Sequence, residues 1–328
     1  MLANLLIVGF DGYEMSAELK DIMNSSELGG VILFKRNIKS ASQVTGLNQE
    51  ILNFNKKNPP LISVDQEGGR VARLKDITTN LPPMAQITSE QDAYLVGETL
   101  GKELSLLGFN LDFAPVCDVA VNKDNQVIGD RSFSEKSTIV AKLASQVILG
   151  LQNNKVAACA KHFPGHGDTA IDSHFFLPSV TTPKEVILKR DLEPFRAAIQ
   201  NNVDTIMTAH ILAKNLDPQW PATMSHEILV NILREQLGFK GVIISDDLEM
   251  KAIADNYDLK TIIEKSLKAS VNMFIVSQDL KLANKVLDIL EDFYTNNEEL
   301  RMLITESINK VTILKNKYKT TKFTNLPQ

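Results

Sequence analysis

Residues 242–246 read Val-Ile-Ile-Ser-Asp, a short apolar run that ends in an aspartate. The same pattern, an apolar run followed by a helix-like segment, recurs along the chain. Eight such runs are present: Leu5–Phe10, Gly30–Phe34, Leu61–Asp65, Leu111–Pro115, Val156–Lys161, Thr205–Ala209, Val242–Asp246 and Met273–Ser277. Several are apolar throughout, which is typical of parallel strands covered on both faces. Eight strands that alternate with helices predict an α/β fold, a single closed (β/α)8 TIM-type barrel.

Helix signals lie between these runs. Apolar residues recur every three or four positions from Thr88 to Leu107, as in a helix packed on a barrel. Ser225 is predicted to open a helix that Gly238 ends. Thr182 is predicted to cap another helix, with Pro183 at its first position.

No linker rich in Gly, Ser or Pro interrupts the alternation of strands and helices, and no internal repeat is visible. We therefore predict one catalytic barrel domain over residues 1–318, followed by a polar C-terminal tail over residues 319–328. Such polar termini are often frayed.

Composition excludes several classes of function. The 328 residues carry a net charge of −5, which gives no basic surface for nucleic acid or an anionic membrane. No stretch approaches the roughly 18 apolar residues of a membrane span. The first apolar run has no Lys or Arg before it, so we interpret it as a buried strand and not a secretion signal. We expect a cytoplasmic protein with no obligate protein partner.

The chain has two cysteines, Cys117 and Cys159, and both lie in apolar segments. They lack the Cys-x-x-Cys spacing of a metal or redox pair. We interpret them as small buried hydrophobic residues.

Polar residues end or follow four of the predicted strands. Asp65 ends the third, Lys161 and His162 end the fifth, His210 follows the sixth, and Asp246-Asp247 follow the seventh. The carboxyl ends of all strands in a (β/α)8 barrel meet on one face, where active sites are built. Polar strand ends also occur simply because the chain leaves the core there. That explanation accounts poorly for a set of Asp, Lys and His residues that each come directly after an apolar run.

The densest group of histidines lies in Lys161–His174, KHFPGHGDTAIDSH. Its glycines and proline favour a loop. Asp172 and His174 are two residues apart, so in an extended segment they point to the same side, as a general acid/base pair requires.

Three other interpretations of this segment stay open. A metal site could use His162, His166, Asp172 and His174, although a His-x3-His pair usually needs a helix to align it. A phosphate-binding loop is less well supported, because Gly165-His166-Gly167 lacks the P-loop Lys-Ser/Thr. A purely structural loop is the third possibility.

Two further segments carry candidate residues. In VDQEGGRVAR (residues 64–73), a strand-terminal Asp65 and the arginines, including Arg73, suit a polyhydroxylated ligand, and Arg131 is another donor. Any single arginine could equally be a surface charge. In SDDLEM (residues 245–250), Asp246 could attack an anomeric carbon, or the Asp pair could bind a metal or cap a helix.

Taken together, these segments resemble glycoside hydrolase family 3, and within it the small single-domain bacterial β-N-acetylhexosaminidases. The motifs KHFPGHGDTAIDSH, VDQEGGRVAR, IGDRSF, MTAHI and SDDLEM carry the resemblance, together with Leu233–Phe239. It covers the chain from the first strand to the last barrel helix.

The resemblance implies a role for each matching residue. Asp246 is expected to be the nucleophile, His174 the acid/base and Asp172 its partner. The terminal N-acetylglucosamine is expected to be held by Asp65, Arg73, Arg131, Lys161 and His162. The implied activity is metal-free and cofactor-free removal of β-linked N-acetylglucosamine from peptidoglycan fragments, chiefly the disaccharide with 1,6-anhydro-N-acetylmuramic acid, during cell-wall recycling in the cytoplasm.

Two rival functions are compatible with the same residues. A glycoside phosphorylase would form the same covalent intermediate and then transfer the sugar to phosphate. A histidine acid/base is compatible with this reaction, because it does not repel an incoming phosphate as a carboxylate does. A sugar-binding protein without activity would keep the sugar site and lose the nucleophile or its acid/base, yet Asp246, Asp172 and His174 are all present.

Overall fold

The computed structural model describes residues 1–169 and 177–319. At its centre is a closed barrel of eight parallel strands: β1 (Leu6–Val8), β2 (Gly30–Leu33), β3 (Leu61–Val64), β6 (Leu111–Asp112), β7 (Ala157–Phe163), β9 (Thr205–Thr208), β11 (Val242–Asp247) and β12 (Met273–Val276). Two short pairs lie outside it: the β4–β5 hairpin (Gln66–Gly68 and Val71–Ala72) and β8–β10 (Ser179–Val180 and Leu212–Ala213).

Around the barrel the strand order is β1-β12-β11-β9-β7-β6-β3-β2. This confirms the predicted (β/α)8 fold. Each of the eight predicted runs overlaps one barrel strand, and the ends differ by at most three residues.

Helices surround the barrel. The α-helices are α1 (Ala17–Ser25), α2 (Ala41–Phe54), α3 (Glu90–Leu107), α4 (Ser137–Asn153), α5 (Lys184–Val186), α6 (Glu193–Gln200), α7 (Lys251–Ala254), α8 (Leu259–Lys268), α9 (Leu280–Asn296) and α10 (Glu298–Lys317). Ile187–Asp191 and Glu227–Gln236 are π-helical. Short 3-10 turns cover Leu2–Leu5, Lys35–Asn37, Met84–Gln86, Gly129–Arg131 and Ala222–Met224.

The core lies inside the barrel and between barrel and helices. Strands β1, β2, β3 and β12 are buried at every position, as expected for strands that are covered on both faces. Helix α3 buries Ala93, Val96, Leu100 and Leu104, which lie on one face of the helix. Burial of these faces is what holds the helices around the barrel.

The helix-end predictions have different outcomes. The Ser225 side chain accepts a hydrogen bond from Ile228 N at 3.1 Å, and Gly238 has a φ of +75°, so both ends of that helix are confirmed. The capping role of Thr182 is wrong. The helix begins after Pro183 with no side-chain cap among the described residues, and the Thr182 hydroxyl donates to the carboxylate of Asp168.

Three further predictions concern membrane spans, the cysteines and the domain boundary. Within residues 1–169 and 177–319, no helix has the length and apolar character needed to cross a membrane. Cys117 and Cys159 are buried free thiols, as predicted. The domain boundary at residue 318 stays a prediction, since residues 320–328 lie outside the described part of the chain.

Candidate active site

A cavity of about 560 Å³ opens at the carboxyl ends of the barrel strands. Six of the predicted site residues line it: Asp65, Arg73, Arg131, Lys161, His162 and Asp246. The fold brings them together from four separate segments of the sequence. The other two, Asp172 and His174, lie outside the described residues. The volume is in the range of a pocket for a small ligand.

One side of the cavity, the charged wall, is formed by Asp65, Glu67, Arg131 and Lys161. Asp65 directly follows β3, Glu67 lies in β4 and Lys161 lies in β7. Lys161 Nζ is 2.8 Å from Asp65 Oδ1 and 2.6 Å from Glu67 Oε1. Burial alone would lower the pKa of Lys161, but Asp65 and Glu67 outweigh it and raise the pKa, so the ammonium group stays charged.

Arg131, at the end of the Gly129–Arg131 turn, binds Glu67 through two hydrogen bonds. Its Nε and Nη2 donate to the two Glu67 carboxylate oxygens at 2.8 and 2.7 Å. Burial tends to raise the pKa of Glu67, yet Arg131 and Lys161 hold that pKa well below its usual range. Glu67 is therefore an ionised carboxylate that fixes two cations at once.

The β4–β5 hairpin places Arg73 on the same side of the cavity. Its turn uses Gly68 and Gly69 at φ values of +100° and +56°, and a Cβ on Gly69 would come within 2.8 Å of Pro83. Arg73 Nη2 lies 3.7 Å from Asp65 Oδ2. Arg73 Nε is buried and has no hydrogen-bond partner among the described residues, so this donor is available to a ligand.

His162 is oriented by Asp118, a buried carboxylate that follows β6. His162 Nδ1 lies 2.7 Å from Asp118 Oδ2, and the main-chain N–H groups of His162 and His166 donate to Asp118 Oδ1 at 3.2 and 2.6 Å. A carboxylate only accepts, so Nδ1 donates and Nε2 is the ring nitrogen on the cavity side, 3.5 Å from Arg131 Nη2.

The described start of the histidine loop is fixed by close contacts. A Cβ on Gly167 would come within 1.8 Å of the Val119 carbonyl oxygen, so only glycine fits there. Arg190 Nη2 donates to Asp168 at 3.0 Å. Burial, and then His162, lower the pKa of His166 to about 4, so its ring is neutral at pH 7.

The metal interpretation of this loop gains no support from the described residues. Within residues 1–169 and 177–319, no group of three or more His, Cys, Asp or Glu is arranged to hold a metal ion. Two of the four predicted ligands, Asp172 and His174, lie outside that part of the chain.

Another side of the cavity, the β11 wall, is formed by Asp246, Asp247 and Ser277. The pairing of β11 with β12 is irregular between Ile244 and Asp247. Asp246 lines the cavity there, and Asp247 N donates to Asp246 Oδ1 at 2.8 Å. Burial tends to raise the pKa of Asp246, but His210, His162 and the Asp247 N–H outweigh it and lower the pKa.

Asp247 is held from the neighbouring strand. Ser277, which follows β12, donates from its main-chain N–H to Asp247 Oδ1 and from its hydroxyl to Asp247 Oδ2. Burial raises the pKa of Asp247 to about 6. Both aspartates line the cavity but differ in their partners, since Ser277 holds the Asp247 carboxylate and the Asp246 carboxylate accepts the Asp247 N–H.

Sequence reasoning assigned no role to Glu67 or Asp118. Glu67 lies two residues after Asp65 in an extended segment, so a period of two could have suggested that both face one side. Asp118 gave no such signal, because its partners lie 44 and 48 residues away along the chain.

Comparison with known proteins agrees with this architecture. The model of the glycosyl hydrolase family 3 N-terminal domain matches residues 1–314. The chain belongs to glycosyl hydrolase family 3. It is therefore a glycosidase.

Relatives within family 3 carry a narrower activity in their names. A β-hexosaminidase from Pasteurella multocida is 38% identical over 295 residues, which are 87% of this chain and 83% of the relative. The structure of a family 3 β-N-acetylglucosaminidase from Paenibacillus sp. str. FPU-7 matches with a TM-score of 0.95 and 34% identity. The match covers 100% of this chain and 64% of that one, so this chain spans less than two thirds of that protein.

A third protein, the β-N-acetylglucosaminidase from Thermotoga maritima, matches with a TM-score of 0.84 and 28% identity over 96% of this chain and 67% of its own. These comparisons support β-hexosaminidase activity for this member of the family. They do not test the roles of individual residues, which stay predictions.

Proposed function

We propose that this protein is a retaining exo-β-N-acetylglucosaminidase that acts in the cytoplasm on peptidoglycan fragments. Its substrate would be N-acetylglucosamine β-linked to 1,6-anhydro-N-acetylmuramic acid, with or without a peptide. The observation that carries the proposal is the position of Asp246, which lines the same cavity as Asp65, Arg73, Arg131, Lys161 and His162.

Asp246 has the properties that a nucleophile needs. Its carboxyl group lines the cavity, and its lowered pKa keeps it ionised at neutral pH. No Lys or Arg of the described chain lies within ion-pair distance of it, so no direct contact with a cation neutralises its attacking oxygens. Attack on the anomeric carbon would give a covalent glycosyl-Asp246 intermediate, and water would then hydrolyse it with overall retention.

The charged wall suits the hydroxyl groups of a terminal sugar. Asp65 offers carboxylate acceptors, while Lys161 and Arg73 offer donors, one of which is Arg73 Nε, a group with no partner in the described part of the chain. His162 presents Nε2, which can accept from a hydroxyl group. Such a set binds a polyhydroxylated ring through many directed hydrogen bonds.

The acid/base is proposed from the sequence. His174 would protonate the leaving oxygen and then take a proton from water, while Asp172 holds the imidazole in the required tautomer. The contacts of His166 and Asp168 fix the start of the loop that carries both residues.

Hydrolysis of 4-nitrophenyl β-N-acetylglucosaminide tests the nucleophile. Asp246→Ala is expected to lose at least a thousandfold in kcat, because it removes the covalent step. The exposed Asp288→Ala on α9 is the matched control and should keep the wild-type rate. An Asp246→Ala variant as active as wild type would refute the assignment, and an inactive wild type would refute the function.

A His174→Ala variant tests the acid/base. It should lose much more activity on the disaccharide than on the nitrophenyl glycoside, because only the poor leaving group needs a proton. Equal losses would count against the assignment. The same reactions with inorganic phosphate test for a phosphorylase, which would release sugar 1-phosphate instead of free sugar.

A further inference from the structure

Apart from its effect on the pKa of Asp246, the buried imidazole of His210 has no role in the chemistry described so far. His210 follows β9, is 1% exposed and does not line the cavity. Its Nε2 lies 3.0 Å from the main-chain carbonyl oxygen of Asp247, and its Nδ1 lies 2.8 Å from the hydroxyl oxygen of Thr223.

These two contacts determine the tautomer of the ring. A carbonyl oxygen only accepts, so Nε2 carries the proton and donates it to Asp247. Burial lowers the pKa of His210 against the opposing effect of Asp246, which favours the neutral ring with Nδ1 as an acceptor. The hydroxyl oxygen of Thr223 lies 2.8 Å from Nδ1 and 3.2 Å from the carbonyl oxygen of Ala209, so its proton goes to the nearer acceptor, Nδ1.

The hydrogen-bond chain extends one residue further. Thr208, the last residue of β9, lies with its hydroxyl oxygen 2.8 Å from that of Thr223. Thr223 gives its single proton to His210, so Thr208 is the donor in this pair. Thr208 and Thr223 are fully buried, and each bond in such a chain polarises the next.

We propose that His210 is a positioning residue for the glycosidase reaction, which holds the main chain at Asp246-Asp247 so that the Asp246 carboxylate stays aligned with the anomeric carbon. Two contacts then fix this tip of β11: His210 from the β9 side and Ser277 from the β12 side. The main-chain N–H of Asp247, which donates to Asp246 Oδ1, lies in the segment that these contacts hold. The inference rests on the proposed function, because it requires Asp246 to be the nucleophile.

The test separates positioning from folding and from sugar binding. His210→Met places an apolar side chain of similar volume at this position and removes the donor. His210→Gln keeps an N–H near the position of Nε2. A displacement of about 1 Å at a reacting group can cost about a hundredfold in rate, so His210→Met should lose up to that factor in kcat. KM for the nitrophenyl glycoside and the calorimetric Kd for N-acetylglucosamine should stay at wild-type values, and His210→Gln should restore most of kcat.

Graded variants and a matched control sharpen the result. Thr223→Val removes the donor to Nδ1 at nearly constant shape and should lose less kcat than His210→Met, and Thr208→Val should lose least. The exposed His226→Met should have no effect. If His210→Met does not fold, Thr223→Val and His210→Gln decide the question by the same split between kcat and KM.

Two outcomes would overturn the inference. One is a folded His210→Met, or Thr223→Val in its place, with wild-type kcat. The other is a loss of kcat accompanied by an equal weakening of N-acetylglucosamine binding, because that indicates general damage to the pocket. If Asp246→Ala is inactive and His210→Met is fully active, this inference fails while the proposed function stands. If Asp246→Ala is fully active, the proposed function itself fails.

Discussion

On the charged wall, Lys161 and Arg131 share the carboxylate of Glu67, whereas on the β11 wall the Asp246 carboxylate accepts a main-chain N–H from Asp247. Charge pairs therefore fix the first wall, and bonds to main-chain and neutral groups fix most of the second. The difference follows from the groups that each wall presents to a sugar, which are hydrogen-bond donors on the charged wall and the proposed nucleophile on the β11 wall. Donors can stay useful while they are paired, since Lys and Arg carry several N–H groups. A nucleophile needs its oxygens unpaired with a cation.

The largest effect is expected where the charged wall loses its shared carboxylate. Glu67→Gln leaves two buried cations without this partner, so the free energy of unfolding should fall by about 3 kcal/mol or more and KM should rise. Urea unfolding and steady-state kinetics measure both. Glu235→Gln, an exposed glutamate, should change neither quantity.

The same variant predicts a pH dependence. The folded pKa of Glu67 is depressed, so its stabilising contribution is complete above the unfolded value of about 4.5 and declines as pH falls below it. The stability difference between wild type and Glu67→Gln should therefore shrink as pH is lowered from 7 to 3. A constant difference would contradict the charge-pair description of this wall.

An intermediate effect is expected at Asp247 on the β11 wall. Its folded pKa of about 6 is raised, so the folded state holds this proton more tightly than the unfolded chain. Stability relative to Asp247→Asn should consequently decrease as pH rises from 4 to 7, by no more than about 3 kcal/mol. Thermal unfolding of both proteins across this range measures the change, and the opposite slope would show that Asp247 is held as a charge pair.

The smallest effect is expected at the rim of the cavity, which is formed here by Arg70 and its partner Asp130. Arg70 and Asp130 form an ion pair 3.0 Å long, and each side chain is 47% exposed. Exposed pairs contribute about 1 kcal/mol at most, so Asp130→Asn should lower the free energy of unfolding by no more than that and leave kcat/KM for the nitrophenyl glycoside almost unchanged. A loss as large as that of Glu67→Gln would place the rim in the binding site.

The sequence was sufficient to predict the barrel, because strand periodicity and spacing are local signals. Residues such as Asp65, Lys161 and Asp246 could be placed in one pocket, because parallel strands of a barrel end on one face. Motif resemblance supplied Arg73 and Arg131, which no periodicity marks. Their functional roles await the experiments described above.

Partner choice could not be predicted in the same way. Asp118 and Glu67 could be read in the sequence, but their partners could not. Strand order brings Glu67 to its two cations and Asp118 to the imidazole of His162. Thr182 shows the converse error: the local motif predicted a helix cap, but the helix begins after Pro183, and the Thr182 hydroxyl is oriented by the Asp168 carboxylate, 14 residues away. Local rules fail where a stronger partner arrives through tertiary contacts.

The formal charges of the charged wall, two carboxylates and two cations, cancel before any ligand arrives. A terminal N-acetylglucosamine is itself uncharged. Binding of this neutral sugar to a neutral set of side chains involves no net attraction between opposite charges and releases few counterions. Dissolved salt weakens binding by screening such attraction, so it should have little effect here. The affinity for the terminal sugar should then be nearly independent of ionic strength, from dilute buffer to the saltiest cell interior.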